Sequence, residues 1–219
     1  MHILRNVFPA VAGLTLAGLV SVSLMAGGQT PAKPADPHTM PMPARGMTME
    51  ASKMTREQKI ANAMSAAPAA VSANATILDW PAKEGDAPPV LRKGTNGWSC
   101  LADMPETEGN DPMCLDGPWM KWVEAYMSRT APMVGSVGIG YMIAPGGAKA
   151  SNSDPYAMKA TSDNQWAHHP PHMMIVVPDL KSLDGISTDP ANGGPYVMFK
   201  GTPYAHIMAP TAPGMMHGH

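Results

Sequence analysis

The chain has 219 residues, and 15 Lys and Arg against 17 Asp and Glu give a formal charge of −2. That balance excludes the clustered positive charge that nucleic-acid binding needs, so no nucleic-acid partner is expected. The 24 prolines, 21 glycines and low charged content of 15% argue against a mainly helical protein, because Pro breaks helices and soluble domains usually carry about 25% charge. The 21 methionines supply an unusual number of soft thioether sulfurs.

Residues 1–28 contain one charge, Arg5, then an uncharged stretch through Ala26 followed by Gly27 and Gly28. A basic start, an apolar middle and small residues before Gln29 describe a secretory signal peptide. An uncleaved membrane anchor is the alternative, since about 20 uncharged residues reach across a bilayer. Against it, Pro9, Gly13, Thr15, Gly18, Ser21 and Ser23 dilute the apolarity that stable insertion needs. No cysteine lies near the cut, which excludes a lipid-anchored export signal. Removing the signal leaves 14 basic and 17 acidic residues and no stable membrane span, in a protein expected in the periplasm or outside the cell.

Residues 29–54 are rich in Pro, Ala and Met without apolar periodicity, and are expected to form a disordered tether carrying His38, Met40, Met42, Met47 and Met49. A helical segment is predicted over 55–74. Thr55 and Gln58 fit a capping box, Ile60, Met64 and Ala67 share a face, and Pro68 stops the helix. The globular domain is assigned to 75–211, a size suited to one core. Its apolar or β-branched runs predict strands over 76–80, 89–92, 97–101, 136–143, 172–177, 196–200 and 204–208. The last two are expected to form a hairpin with a Gly201-Thr202-Pro203 loop. One helix is predicted after Asp116 and Gly117, with Pro118 in its first turn and Trp119, Trp122, Val123, Tyr126 and Met127 as its core stripe. Residues 212–219 form a Met/His tail.

These elements give an α+β fold: a small, mainly antiparallel sheet with one principal packed helix, one disulfide and flexible N- and C-terminal tails. Cys100 and Cys114 are the only cysteines, and an even pair in an exported protein reads as a disulfide. A pair of metal thiolates would want closer spacing or adjacent His partners.

The runs Gly97-Trp98-Ser99-Cys100-Leu101, Asp111-Pro112-Met113-Cys114-Leu115-Asp116, Trp119-Met120-Lys121-Trp122, Gly194-Pro195-Tyr196-Val197-Met198 and Gly201-Thr202-Pro203-Tyr204-Ala205-His206 resemble a family of exported bacterial proteins of unassigned function. The resemblance spans about residues 60–210 and spares both tails. It implies a bacterial exported origin and carries over no activity.

The densest chemistry-bearing cluster is Trp166-Ala167-His168-His169-Pro170-Pro171-His172-Met173-Met174. Imidazole and thioether together suit copper, and Cu(I) in particular. The two prolines force extended backbone, so this is not the helical His pair of a zinc protease. Strand alternation puts His172 with Met174, Tyr196 with Met198, and Tyr204 with His206 and Met208. If those strands are neighbours, His172 and His206 meet Met174, Met208, Tyr196 and Tyr204 around one pocket. The alternative is that these histidines are hydrogen-bonded sheet residues and the methionines ordinary core. A second metal candidate is Met215-Met216-His217-Gly218-His219. The candidate metal ligands are therefore His168, His169, His172, Met174, His206, Met208, His217 and His219, with Tyr196 and Tyr204 as ligand-binding residues. Copper is the only cofactor the residues suggest, and none is specified.

Ser151, Asn152, Ser153, Asp154, Asp163 and Asn164 form an oxygen-rich cluster that reads as turns rather than a calcium loop. No nucleophile elbow, phosphate loop or His-Glu-x-x-His motif is present. The leading reading is an exported small-ligand or copper-binding protein. The alternatives are a secreted hydrolase or lyase using His172 and His206 beside an acid such as Asp79, Asp103, Asp116 or Glu124, and an interaction module with no active site.

Overall fold

The computed structural model describes residues 53–83, 86–105, 107 and 109–211. The predicted signal peptide and tether, apart from Lys53 and Met54, and the His217/His219 tail lie outside them. Among the described residues no helix is long and apolar enough to cross a membrane.

The architecture is α+β. Helices α1 (Arg56–Ser65) and α2 (Ala69–Ser72) precede strands β1 (Thr76–Leu78), β2 (Val90–Arg92), β3 (Ser99–Leu101), β4 (Gly109–Asn110) and β5 (Met113–Leu115). Then come α3 (Gly117–Met127), β6 (Gly138–Met142), β7 (Gly147–Ala150), β8 (Ala167–His169), β9 (His172–Val176), β10 (Tyr196–Met198) and β11 (His206–Pro210). Eight strands form a sheet in the order β10-β11-β9-β6-β5-β3-β1-β2, and β4-β7-β8 form a second, smaller one. All pairings are antiparallel except β1 with β3.

The large sheet packs on both faces, strand alternation sending successive side chains to opposite sides. On one face, Ile77, Cys100 and Cys114 pack with Ala63, Ala66 and Ala67 at the end of α1 and just beyond it. Alanines let the helix approach closely, and the Cys114 Sγ lies 3.6 Å from the Ala63 carbonyl. The helix begins as its sequence dictates, with both bonds of the Thr55–Gln58 capping box formed. Cys100 and Cys114 face each other across β3 and β5 and are joined in a disulfide. On the opposite face, Leu78, Leu101, Leu115, Met174, Val176, Tyr196, Met198 and Met208 pack with Trp119 and Trp122 of α3.

Two features seat α3. Asp116 caps it by accepting from the Trp119 amide through Oδ1, while its Oδ2 accepts from the Ile139 amide at 2.7 Å, tying the helix to β6. The Gly138-Ile139-Gly140 stretch of β6 then leaves room for it. A Cβ at 138 would stand 2.7 Å from the Pro118 Cβ, and one at 140 would stand 2.9 Å from the tips of Leu115 and Met174.

The final hairpin differs from expectation. Strands β10 and β11 do pair, with Met198 opposite His206, but the connection is the seven residues 199–205 rather than Gly-Thr-Pro alone. Phe199 turns into the left-handed region (φ 57°) and Gly201 follows at φ 85°. Tyr204 and Ala205 are held in the turn by the Thr202 hydroxyl and carbonyl. The strand therefore starts two residues later, which preserves the side-chain parity of His206 and Met208.

A candidate ligand chamber between two sheets

Three chain segments cross between neighbouring strands of the small and large sheets: Asp111-Pro112 between β4 and β5, residues 143–146 between β6 and β7, and Pro170-Pro171 between β8 and β9. The last has a plain cause. Neither proline can donate to a strand ladder, so the sheet pairing breaks there, leaving His169 on the small sheet and His172 on the large one. Both rings line a cavity of about 200 Å³ bounded by α3, the small sheet and the inner face of the large sheet. Its lining is mainly apolar. Trp119, Trp122 and Tyr126 come from α3, Ala148 and Ala150 from β7, and Met113, Met142, Met174, Met198 and Met208 from the large sheet.

Register fixes how the histidines and methionines relate. Met142 is directly opposite His172, Met174 is opposite Met208, and Met198 is opposite His206. His172 and His206 share the inner face but do not occupy one row. Pro210 is the residue opposite His172, and it lies four residues along β11 from His206, a backbone rise of about 13 Å. The Met174–Met208 row runs between them. The two histidines thus stand at opposite ends of a methionine ladder within one chamber.

Their hydrogen bonds fix their chemistry. The Nδ1 of His172 donates to the Pro170 carbonyl at 2.5 Å, and that of His206 donates to the Tyr204 carbonyl at 2.9 Å. A neutral imidazole has one N–H, so Nε2 is the lone-pair nitrogen in both. Burial lowers both to about 4, opposed by those carbonyls and reinforced by neighbouring imidazoles, His169 for His172 and His172 then His169 for His206. The His172 Nε2 is buried without a hydrogen-bond partner among the described residues. His206 sits in an aromatic cage, with its ring centroid 5.2 Å from Trp119 and 5.5 Å from both Trp122 and Phe199.

His169 bonds the Tyr196 hydroxyl through Nδ1 at 2.6 Å. Burial lowers its proton affinity, with the Ala150 backbone opposing and His168 adding to the effect. Tyr196 is thus a second-layer partner of the chamber. Tyr204 has a different task, since its hydroxyl donates to the Thr130 carbonyl at 2.7 Å and accepts from Tyr156 at 2.6 Å. It closes a packed array in which Trp122, Tyr126 and Tyr156 stack in turn and Arg129 lies over Tyr156. His168 is exposed on β8, on the strand face opposite His169.

Met142 and Met198 are not among the sequence-predicted ligands, and the α3 stripe reads from sequence purely as core. Strand parity carried the first signal, because Met142 shares the face of Gly138 and Gly140. The dual role of Trp122 and Tyr126 as core and chamber wall had no sequence signal.

Of the carboxylates considered for acid-base work, Asp79, Asp103 and Asp116 are engaged elsewhere and Glu124 is exposed on α3. Asp79 pairs with Lys59 at 2.7 Å, and Asp116 is the α3 cap. The Asp103 Oδ1 accepts from the Asp111 amide, while the Asp111 Oδ1 accepts from the Met104 amide. Burial, then the adjacent Asp111 carboxyl, raise Asp103 to about 7. Asp111 borders the chamber, and the Asp103 amide donates to the side chain of Asn62, which in turn donates to Asn110. The Ser151 cluster is a turn, its hydroxyl accepting from the Ser153 and Asp154 amides. Among the described residues, no three His, Cys, Asp or Glu side chains converge to hold a metal ion.

No protein-family model, curated protein or solved structure matches the chain.

Proposed function

We propose that this is an exported bacterial binding protein whose ligand occupies the chamber between α3 and the two sheets. The observation that carries the reading is the cavity of about 200 Å³ with buried histidines in its mainly apolar wall. A cavity of about 150 Å³ is enough to admit a benzene-sized molecule, and apolar pockets with a few polar groups are the usual form of ligand sites. Export is supported by the N-terminal signal pattern, by the resemblance to exported bacterial proteins, and by the disulfide, which belongs to oxidising compartments.

Binding is favoured over hydrolysis by the imidazole partners. In a Ser-His-Asp hydrolase the base is oriented by a carboxylate, whereas His172 and His206 are oriented by main-chain carbonyls. With both held well below neutral pH in proton affinity, they serve as lone-pair donors.

Trp119 and Trp122 line the chamber and report on it. Titration with toluene and, separately, with Cu(I) is expected to change their emission in the native protein with at least one of the two. Ala150→Phe, which fills the chamber, is expected to abolish the response while the protein keeps its cooperative melting. No response to either probe would overturn the reading.

A further inference from the structure

Resting on the chamber as the binding site, we propose that its ligand is a single Cu(I) ion held at the His172 end, by the Nε2 atoms of His172 and His169 and the thioethers of Met142 and Met174. The sheet register assembles these donors without any sequence motif for them. Met142 is the direct cross-strand partner of His172, where opposite side chains lie about 5 Å apart at Cβ. Met174 follows His172 by two residues and so shares its face. The proline corner brings His169 to the same chamber from the small sheet.

The second observation is the state of the imidazoles. Among the described residues, the Nε2 of His172 and that of His169 are both buried without a hydrogen-bond partner, an arrangement that is costly if nothing binds there. For His172 the Nδ1–H bond to the Pro170 carbonyl is the outer-layer bond that metal-ligating histidines usually make, fixing the tautomer and ring direction. At His169 the Nδ1 partner is the Tyr196 hydroxyl, which can donate as well as accept and so leaves the tautomer to be set by the metal.

The donor set selects among metals. No third His, Cys or carboxylate joins the two imidazoles among the described residues, which leaves Zn(II) short of the ligands it normally takes. Thioethers complete the set instead, and soft sulfur in a largely apolar chamber favours Cu(I) over Cu(II) and over harder divalent ions. The other end of the ladder offers Met198 and Met208 beside His206, but His206 is enclosed by Trp119, Trp122 and Phe199. It therefore serves as the packed end of the chamber.

The test is Cu(I) competition against a chromogenic chelator under anaerobic conditions, using the full chain without its signal peptide. Met142→Leu/Met174→Leu is the decisive variant, because Met and Leu are close in volume and the swap spares the fold. It is expected to weaken Cu(I) retention at least tenfold, as is His172→Leu. Met133→Leu/Met158→Leu, at exposed methionines outside the chamber, and removal of residues 212–219 are expected to change the affinity of that site less than threefold. X-ray absorption of the loaded protein should show both sulfur and nitrogen neighbours. Unchanged affinity in Met142→Leu/Met174→Leu, or copper lost only with the terminal residues, overturns the assignment. If toluene perturbs the chamber tryptophans while Cu(I) does not, the copper assignment fails and the chamber reading stands; if neither acts, both fail.

Discussion

Acidification should destabilise the protein through the chamber histidines. An unfolded imidazole titrates near 6.5, whereas burial holds His172 and His206 at about 4 in the native state. Between those values the unfolded chain takes up protons that the native state refuses. The neutral histidines' contribution is therefore fully present above about pH 6.5, declines as pH falls, and is lost by about pH 4. A gap of about 2.5 pH units corresponds to about 3 kcal/mol per histidine.

Asp103 acts in the opposite sense. Its native value is raised to about 7, so its protonated form favours folding below the ordinary carboxylate range, and that contribution is lost as pH rises through about 7. Between pH 4 and 6.5 it offsets one histidine. The net slope for these three groups is then about 1.4 kcal/mol per pH unit, stability rising with pH. Urea midpoints followed by tryptophan emission from pH 4.5 to 7, with the disulfide intact, measure it. His206→Asn should lower the slope by about 1.4 kcal/mol per pH unit, whatever it does to absolute stability. Stability that is flat or rising on acidification below pH 6.5, or an unchanged slope in the variant, would refute the reasoning.

Three further outcomes concern the frame around the chamber. Gly138→Ala should cost about 2 kcal/mol in thermal unfolding, because its new methyl meets the Pro118 ring, Val176 and the Asp116 carboxylate. Gly140→Ala should cost less, since the tips of Leu115 and Met174 can give way; the reverse order would contradict the packing described. Asp116→Ala removes the α3 cap and the acceptor for the Ile139 amide, and should lower urea stability by about 2 kcal/mol. Replacing both Cys100 and Cys114 by Ala opens a loop spanning a sequence separation of 14; a loss of about 3 kcal/mol is expected from chain entropy, with no change in fold by circular dichroism.

Much of the large sheet was legible because its strands carry alternation. In β9 the burial follows the pattern expected of His-Met-Met-Ile-Val, with His172, Met174 and Val176 inward. The α3 cap and stripe were equally plain, since Asp116, Pro118 and Trp119 each have a local reason for their place. The small sheet was not legible. Its strand β4 is two residues long and β7 reads Gly-Ala-Lys-Ala, so neither has an apolar signature. Strand β5 is three residues between the Asp111-Pro112 corner and the Asp116 cap, and turn chemistry on both sides masks it.

The candidate site was legible as a set of residue types, and its geometry was not. Sequence parity placed His172 and His206 on the inner face, but their separation depends on the register of β11 against β9, which no local signal sets. The two-residue displacement of β11 changed neither inward histidine, because a shift of two preserves parity. A slip of one would have turned His206 and Met208 away from the chamber.

The most direct test of the chamber is ¹⁵N NMR of the histidine rings at pH 7, with and without Cu(I). Without metal, Nε2 of His172 should show the resonance of an unprotonated, lone-pair nitrogen and Nδ1 that of an N–H. Cu(I) should shift the Nε2 signals of His172 and His169 while leaving the exposed His168 in place. A protonated Nε2 at His172, or a response confined to His168 and the terminal histidines, would contradict the account.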